Sequence, residues 1–291
     1  MGGARSGRLA AVDAADDVLD VGRYRGSVIR LVATDLDGTL LRPDETVSAR
    51  TRAALAAVRG AGITLVLVTG RPPRGVRRVA AGIGVGGVAI CANGAVVYDL
   101  DSGVVVDQTP LAAAAAARLL HALRAALPGG LFAVETEGGF RRDAGWEPAG
   151  VNADGEVVAA GAELATAPVA KLLVRHPELP FEQLAERVQG IVGDDAMVTW
   201  SGTQLVELSA AGVTKAFALE RLCRRLGVAR EEVVAFGDMR NDLAMLAWAG
   251  RAVAVANAEP EVRRAADEIT ASNLEDGVAV VLERILAKQA G

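Results

Sequence analysis

Asp35-Leu36-Asp37-Gly38-Thr39 places two carboxylates two residues apart, directly after an apolar run over 28–34. Side chains alternate along an extended strand with a period of two, so Asp35 and Asp37 emerge on the same side. Two like charges that close are costly unless one takes up a proton or a cation binds between them. A hard divalent ion such as Mg2+ suits the pair, because it prefers carboxylate oxygens and keeps waters that a phosphate can displace. Taken alone, the segment also reads as an acidic turn with Gly38 supplying the bend. A second acidic stretch, Gly237-Asp238-Met239-Arg240-Asn241-Asp242, follows another apolar run and sets Asp238 in a loop, with Asp242 near a helix start. N-capping by Asp238 or Asn241 would explain that loop by itself. It does not explain matching acidic loops on two strands of one sheet. Asp35, Asp37, Asp238 and Asp242 are therefore expected to converge on one cation.

Other residues suit an anion. At the end of a run over 63–69, Thr69-Gly70-Arg71-Pro72 offers a hydroxyl, a bared backbone N–H and a guanidinium, with Pro72 opening the next helix. The same residues also make an ordinary strand-to-helix turn. Thr214 is placed to N-cap a helix over 215–226, which puts Lys215 at a helix start where the dipole disfavours a cation. A carboxylate or phosphate partner would compensate; a plain surface lysine is the alternative.

The elements that must position these residues alternate between strand-length apolar runs and helical patterns, the mark of βαβ units and a parallel sheet. Strands are expected over 28–34, 63–69, 88–91, 232–236 and 252–255, nearly continuous in apolar character, as burial on both faces requires. Ser48 as N-cap, Leu55 and Val58 on one face and Gly60 as a stop define the crossover helix between the first two. From about 110 to 202 the texture changes to α+β: an Ala-rich helix over 111–127, a strand over 131–137, a glycine-rich loop, a strand over 169–175, a helix after Pro180 and a strand near 197–200. Leu219, Leu222, Cys223 and Leu226 then restore helical spacing. The expected division is an N-terminal extension over 1–27, a core from 28–109 and 203–291, and an inserted domain over 110–202.

The ordered set Asp35-x-Asp37-Gly38-Thr39, Thr69-Gly70-Arg71, Cys91-Ala92-Asn93-Gly94, Lys215, Gly237-Asp238-x-x-Asn241-Asp242 and Asn257-Ala258 closely resembles the haloacid dehalogenase (HAD) superfamily, and within it the Cof-type phosphatases of subfamily IIB. The resemblance runs from about 28 to 286. It implies a Rossmann-like parallel-sheet core with an inserted α+β cap of type IIB lying over the active site. It also implies Asp35 as nucleophile, Asp37 as general acid and then base, and Mg2+ held by Asp35, the Asp37 carbonyl and Asp238, with Asp242 and Asn241 in support. Thr69 and Lys215 would hold the phosphoryl oxygens, and Thr39, Gly70, Arg71, Asn93 and Asn241 would meet substrate.

The composition agrees with an enzyme of this kind. A net charge of −5 argues against nucleic acid binding, which is driven largely by Lys and Arg. No apolar stretch approaches the roughly 20 residues a bilayer span needs. Cys91 and Cys223, the only cysteines, sit in apolar segments and exclude a disulfide framework, pointing to a reducing compartment, the cytoplasm. Residues 1–27 lack the apolar centre of a secretory signal and read as a disordered extension without assigned function. Gly82-x-Gly84-x-x-Gly87 precedes a strand instead of following one, so it is no dinucleotide site. His121 and His176 are too far apart to form a ligand cluster. Arg141, Arg142 and Trp146 follow Gly138-Gly139 in the expected loop, facing either substrate or solvent.

The expected activity is Mg2+-dependent hydrolysis of a small phosphorylated metabolite, with sugar phosphates the first class to test, by a monomer or homodimer. Phosphomutase or phosphotransferase chemistry on the same fold, and a partner-binding role without turnover, are the alternatives.

Overall fold

The computed structural model describes residues 28–146, 157–159, 161–200 and 205–290; the expected extension over 1–27 lies outside them. Apolar runs of strand length build one eight-stranded sheet. Its strands are β1 (Leu31–Thr34), β2 (Thr64–Val68), β3 (Val88–Cys91), β4 (Val96–Asp99), β5 (Val104–Gln108), β12 (Val233–Gly237), β13 (Arg251–Val255) and β14 (Glu268–Thr270). They stand in the order β14-β13-β12-β1-β2-β3-β4-β5. Pairing is parallel from β14 through β3, and β4 and β5 continue antiparallel. The helices of this part are α1 (Ala49–Gly60), α2 (Pro73–Ile83), α5 (Lys215–Leu226), α6 (Leu243–Trp248), α7 (Pro260–Ala265) and α8 (Gly277–Gln289). Their apolar faces, including Leu55 and Val58, Val76 and Ile83, Leu219 and Leu222, and Leu282 and Ile285, join the buried strands in one hydrophobic core.

The topology places the chemistry. From β1 the chain runs outward through β2 and β3, then returns to the other side of β1 with β12, β13 and β14. Neighbouring crossovers diverge at that point, and the crevice outside the carboxyl ends of the strands is where such sheets bind ligands. Register fixes the rest: Thr34 stands opposite Leu67 on one side and Phe236 on the other. The residues after β1, β2 and β12 therefore emerge at one level of one sheet edge.

A second, six-stranded sheet is built from β6 (Leu131–Thr136), β7 (Gly139–Arg142), β8 (Val157–Val158), β9 (Val169–Arg175), β10 (Ala196–Thr199) and β11 (Val206–Ala210), in the order β10-β11-β9-β6-β7-β8. It is antiparallel except for β7 with β8. One face buries Phe132, Val134, Leu172, Val174, Val206 and Leu208 against α3 (Ala113–Ala126) and α4 (Phe181–Val192). The alternating residues Glu135, Lys171 and Glu207 point the other way, Glu135 to α2 and the other two to loops of the first sheet. Strand β11 lies in this second sheet, although the sequence division at 202 assigns it to the core. The segment read as a glycine-rich loop instead folds back as β7, through a two-residue Glu137-Gly138 turn between Thr136 and Gly139. Trp146 is 2% exposed, packed edge-on to Phe140. Among the described residues no helix is long and apolar enough to cross a membrane.

Candidate active site

Asp35 follows β1, its N–H donating to Phe236 O of β12 at 3.0 Å. Asp238 and Asp242 follow β12. Asp35, Asp238 and Asp242 each offer a carboxylate oxygen within 4.8 Å of the others, and all three residues are buried. Lys215 Nζ donates to Asp35 Oδ1 and to Asp242 Oδ1, each at 2.6 Å. Its place at the start of α5 is fixed by Thr214, whose hydroxyl accepts the Phe217 N–H at 3.1 Å. Asp242 Oδ2 accepts the N–H groups of Asp238 and Met239, both at 3.1 Å, so this carboxylate also shapes the loop that carries its neighbour. Thr39 Oγ1 donates to Asp238 Oδ1 at 2.6 Å. Gly38 sits at φ +82°, and a Cβ there would fall 2.3 Å from Asp238 Oδ2. Only glycine allows the two acidic loops to approach so closely.

Burial sets the electrostatics. It raises the Asp35 pKa well above the carboxylate range; Lys215 opposes that shift, while Asp242 and Asp238 add to it. Burial and then Asp242 push Asp238 up to about 7 against the Thr39 hydrogen bond and Lys215. For Lys215, burial favours the neutral amine, but Asp242 and Asp35 outweigh it and hold the ammonium above its ordinary range. Three carboxylates against one ammonium leave two excess negative charges when all are ionised, the charge a divalent cation supplies. All candidate donors are oxygens, as a hard cation requires. Asn241 Oδ1 is a buried acceptor with no protein partner beside this cluster. The residues present fit a divalent metal.

The residues expected to meet phosphate gather at the end of β2. Thr69 is buried, and its Oγ1 accepts the Arg71 N–H at 3.1 Å. Arg71 Nε and Nη2 grip Asp37 Oδ2 and Oδ1 at 2.7 and 2.5 Å, and Nη2 also donates to Glu45 Oε1 at 2.9 Å. Asp37 thus directs its half-exposed carboxylate at Arg71, while the other three aspartates form the buried cluster.

Asn93 occupies a left-handed turn after β3 at φ 55°. Its Nδ2 donates to Glu207 Oε2 at 2.6 Å and to Thr199 Oγ1 at 3.0 Å, and its Oδ1 accepts from Asn241 Nδ2 at 3.2 Å. The neighbouring Gly94, at φ +106°, has Thr214 O 2.1 Å from where a Cβ would lie, which brings this turn against the start of α5. Glu207 and Lys171 were not singled out by sequence reasoning. The signal for them is a charge at the middle of an apolar strand, since such residues are rarely buried unless paired. Asn257, part of the motif set but without a role there, donates through Nδ2 to Gly38 O at 2.7 Å and so holds the first acidic loop.

A family model for haloacid dehalogenase-like hydrolases matches residues 32–282. A pyridoxal phosphate phosphatase of Escherichia coli is 31% identical over 263 residues, covering 86% of this chain and 96% of its own. A 5-amino-6-(5-phospho-D-ribitylamino)uracil phosphatase of Bacillus subtilis is 30% identical, covering 86% and 93%. Among solved structures, a haloacid dehalogenase-like hydrolase from Bacteroides thetaiotaomicron superposes with a TM-score of 0.76 at 30% identity, over 88% of this chain and 99% of its own.

Proposed function

This chain belongs to the haloacid dehalogenase-like hydrolases and is a Cof-type phosphatase of small phosphorylated compounds, and from that premise we propose a Mg2+-dependent, two-step transfer through Asp35. The observation that carries the reading is Lys215 held at 2.6 Å between Asp35 and Asp242, with Asp238 completing the acidic cluster. In the first step Asp35 attacks phosphorus in line, the bond from phosphorus to the leaving oxygen breaks, and Asp37 delivers the proton that oxygen needs. In the second, Asp37 takes a proton from water, which attacks the same phosphorus and frees Asp35 and inorganic phosphate. Thr69 and Lys215 steady the phosphoryl oxygens, and Arg71 orients Asp37. Asp35, the Asp37 carbonyl and Asp238 would hold the ion, with Asp242 and Asn241 behind them; when bound, it offsets charge on the phosphoryl group. The second sheet with its two helices, which runs on through β11, acts as a cap above this pocket.

The substrate is a small phosphorylated metabolite. Sugar phosphates are the first class to assay, alongside the heterocyclic esters named for the two relatives. Phosphate release from such a panel should need Mg2+, stop with chelator and fall by at least about a thousandfold in Asp35→Asn, as loss of a nucleophile does. Full activity in that variant would remove Asp35 from the mechanism, and an isomerised sugar phosphate in place of free phosphate would mark a mutase.

A further inference from the structure

The side of the second sheet that faces the first carries a buried ion pair with no part in the chemistry above. Lys171 and Glu207 are each 4% exposed, and Lys171 Nζ donates to Glu207 Oε1 at 2.9 Å. A buried pair offers little net stability over apolar residues of similar size, so its geometry, not its energy, is the feature to explain. Each carboxylate oxygen of Glu207 begins a separate branch. Through Oε1 it holds Lys171, whose Nζ also donates to Gly70 O at 2.6 Å, between Thr69 and Arg71 on the phosphate side. Through Oε2 it holds Asn93, which accepts from Asn241, the residue before Asp242 on the metal side.

We propose that Glu207 is a positioning residue, with Lys171 as its relay, that fastens both walls of the reacting pocket to the cap so that cap docking and site assembly are one event. This deepens the phosphatase reading and rests on it. Glu207 touches no reacting atom; it acts through Gly70 and Asn93. A second contact between the two sheets, Arg74 with Glu135 at 2.5 and 2.6 Å, joins α2 to β6 without these loops and serves as a control for docking alone.

The test compares Glu207→Gln, the double variant Lys171→Met/Glu207→Leu and Glu135→Gln in the full-length protein. Three quantities are measured: thermal midpoint, amide exchange over 69–71 and 92–94, and kcat and KM for p-nitrophenyl phosphate with Mg2+. Apolar replacement of both partners leaves no buried charge, so the double variant should keep its midpoint. Its kcat should fall at least about tenfold with KM within about threefold, as misplaced catalytic groups require, and exchange should quicken in both loops. A glutamine at 207 must turn its NH2 toward a donor on one branch, so Glu207→Gln should fall between that variant and the wild type. Glu135→Gln should stay within about twofold of wild type, because it leaves both loops fastened. Unchanged kcat and unchanged exchange in either Glu207 variant would overturn the proposal, as would an equal loss in Glu135→Gln. A wild-type protein without turnover would refute the phosphatase reading, and the exchange measurements would still decide the positioning role.

Discussion

At the scale of single residues, Asp238 ties the site to pH near neutrality. Its pKa is pushed up to about 7, above its usual 3.8, chiefly by burial and by Asp242. The metal-free native state therefore binds more protons than the unfolded chain between those values, and this group's contribution to stability falls as pH rises through that window. A metal ion needs the ionised carboxylate, so proton and metal compete for it. Calorimetric titration with Mg2+ should show affinity about tenfold weaker at pH 6 than at pH 8, with a proton released on binding at the lower pH. Asp238→Asn should weaken binding at both values and shrink that difference to the part Asp35 carries. Equal affinities at pH 6 and pH 8 in the wild type would show that Asp238 does not exchange a proton for the ion in that range. Thr39, expected to meet substrate, donates its hydroxyl to this same carboxylate.

At the scale of elements, two tight turns bring the ends of strands together. Gly38→Ala would demand a left-handed alanine and set its Cβ 2.3 Å from Asp238 Oδ2. Gly62, at φ +76° with nothing within 4 Å of its missing Cβ, isolates the conformational part of that change. Both alanine variants should lose about 1–2 kcal/mol of stability from the backbone strain. Only Gly38→Ala should also lose Mg2+ affinity and activity, by about tenfold or more, because it displaces the Asp238 carboxylate proposed to hold the ion. Matched losses of activity in the two variants would show that strain alone, not the approach of the two loops, matters. Local patterning carried much of this level: the Ser48 cap of α1 and the Thr214 cap of α5 both accept the N–H three residues on, at 3.0 and 3.1 Å. It missed the β4–β5 hairpin, where Val104, Val105 and Val106 are exposed and the apolar run is no sign of burial. It also missed β7, because Gly138 and Gly139 read as loop punctuation, whereas Gly138 closes a two-residue turn with Glu137 and Gly139 begins the strand.

At the scale of the whole molecule, folding gathers like charges whose repulsion a bound cation would relieve. Asp35 and Asp238 both sit above the carboxylate range, and burial is the largest cause for each. A ligand that binds only the folded state raises stability by mass action, about 2.7 kcal/mol at one hundred times its Kd. Calorimetric scans at pH 8 should therefore show a higher thermal midpoint with millimolar Mg2+ than with chelator. The gain should shrink at pH 6, where protons already occupy the cluster. A midpoint indifferent to Mg2+ at pH 8 would argue against a metal held by these carboxylates.

Much of this protein is written in short-range order. Apolar runs followed by Asp35, by Thr69 and by Asp238 specify parallel strands with chemistry at their carboxyl ends, because strand period and burial act over a few residues. Which oxygen faces which proton is a property of the folded chain. Lys171 and Glu207 meet across two strands of one sheet, and Asn93 reaches Glu207 from another, at separations of 36 and 114 residues. Likewise the carboxylate of Asp37 swings to Arg71 while that of Asp35, two residues earlier, turns to Lys215. No local pattern encodes such pairings: only the register of strands and the docking of one sheet over the other bring those atoms within bonding distance.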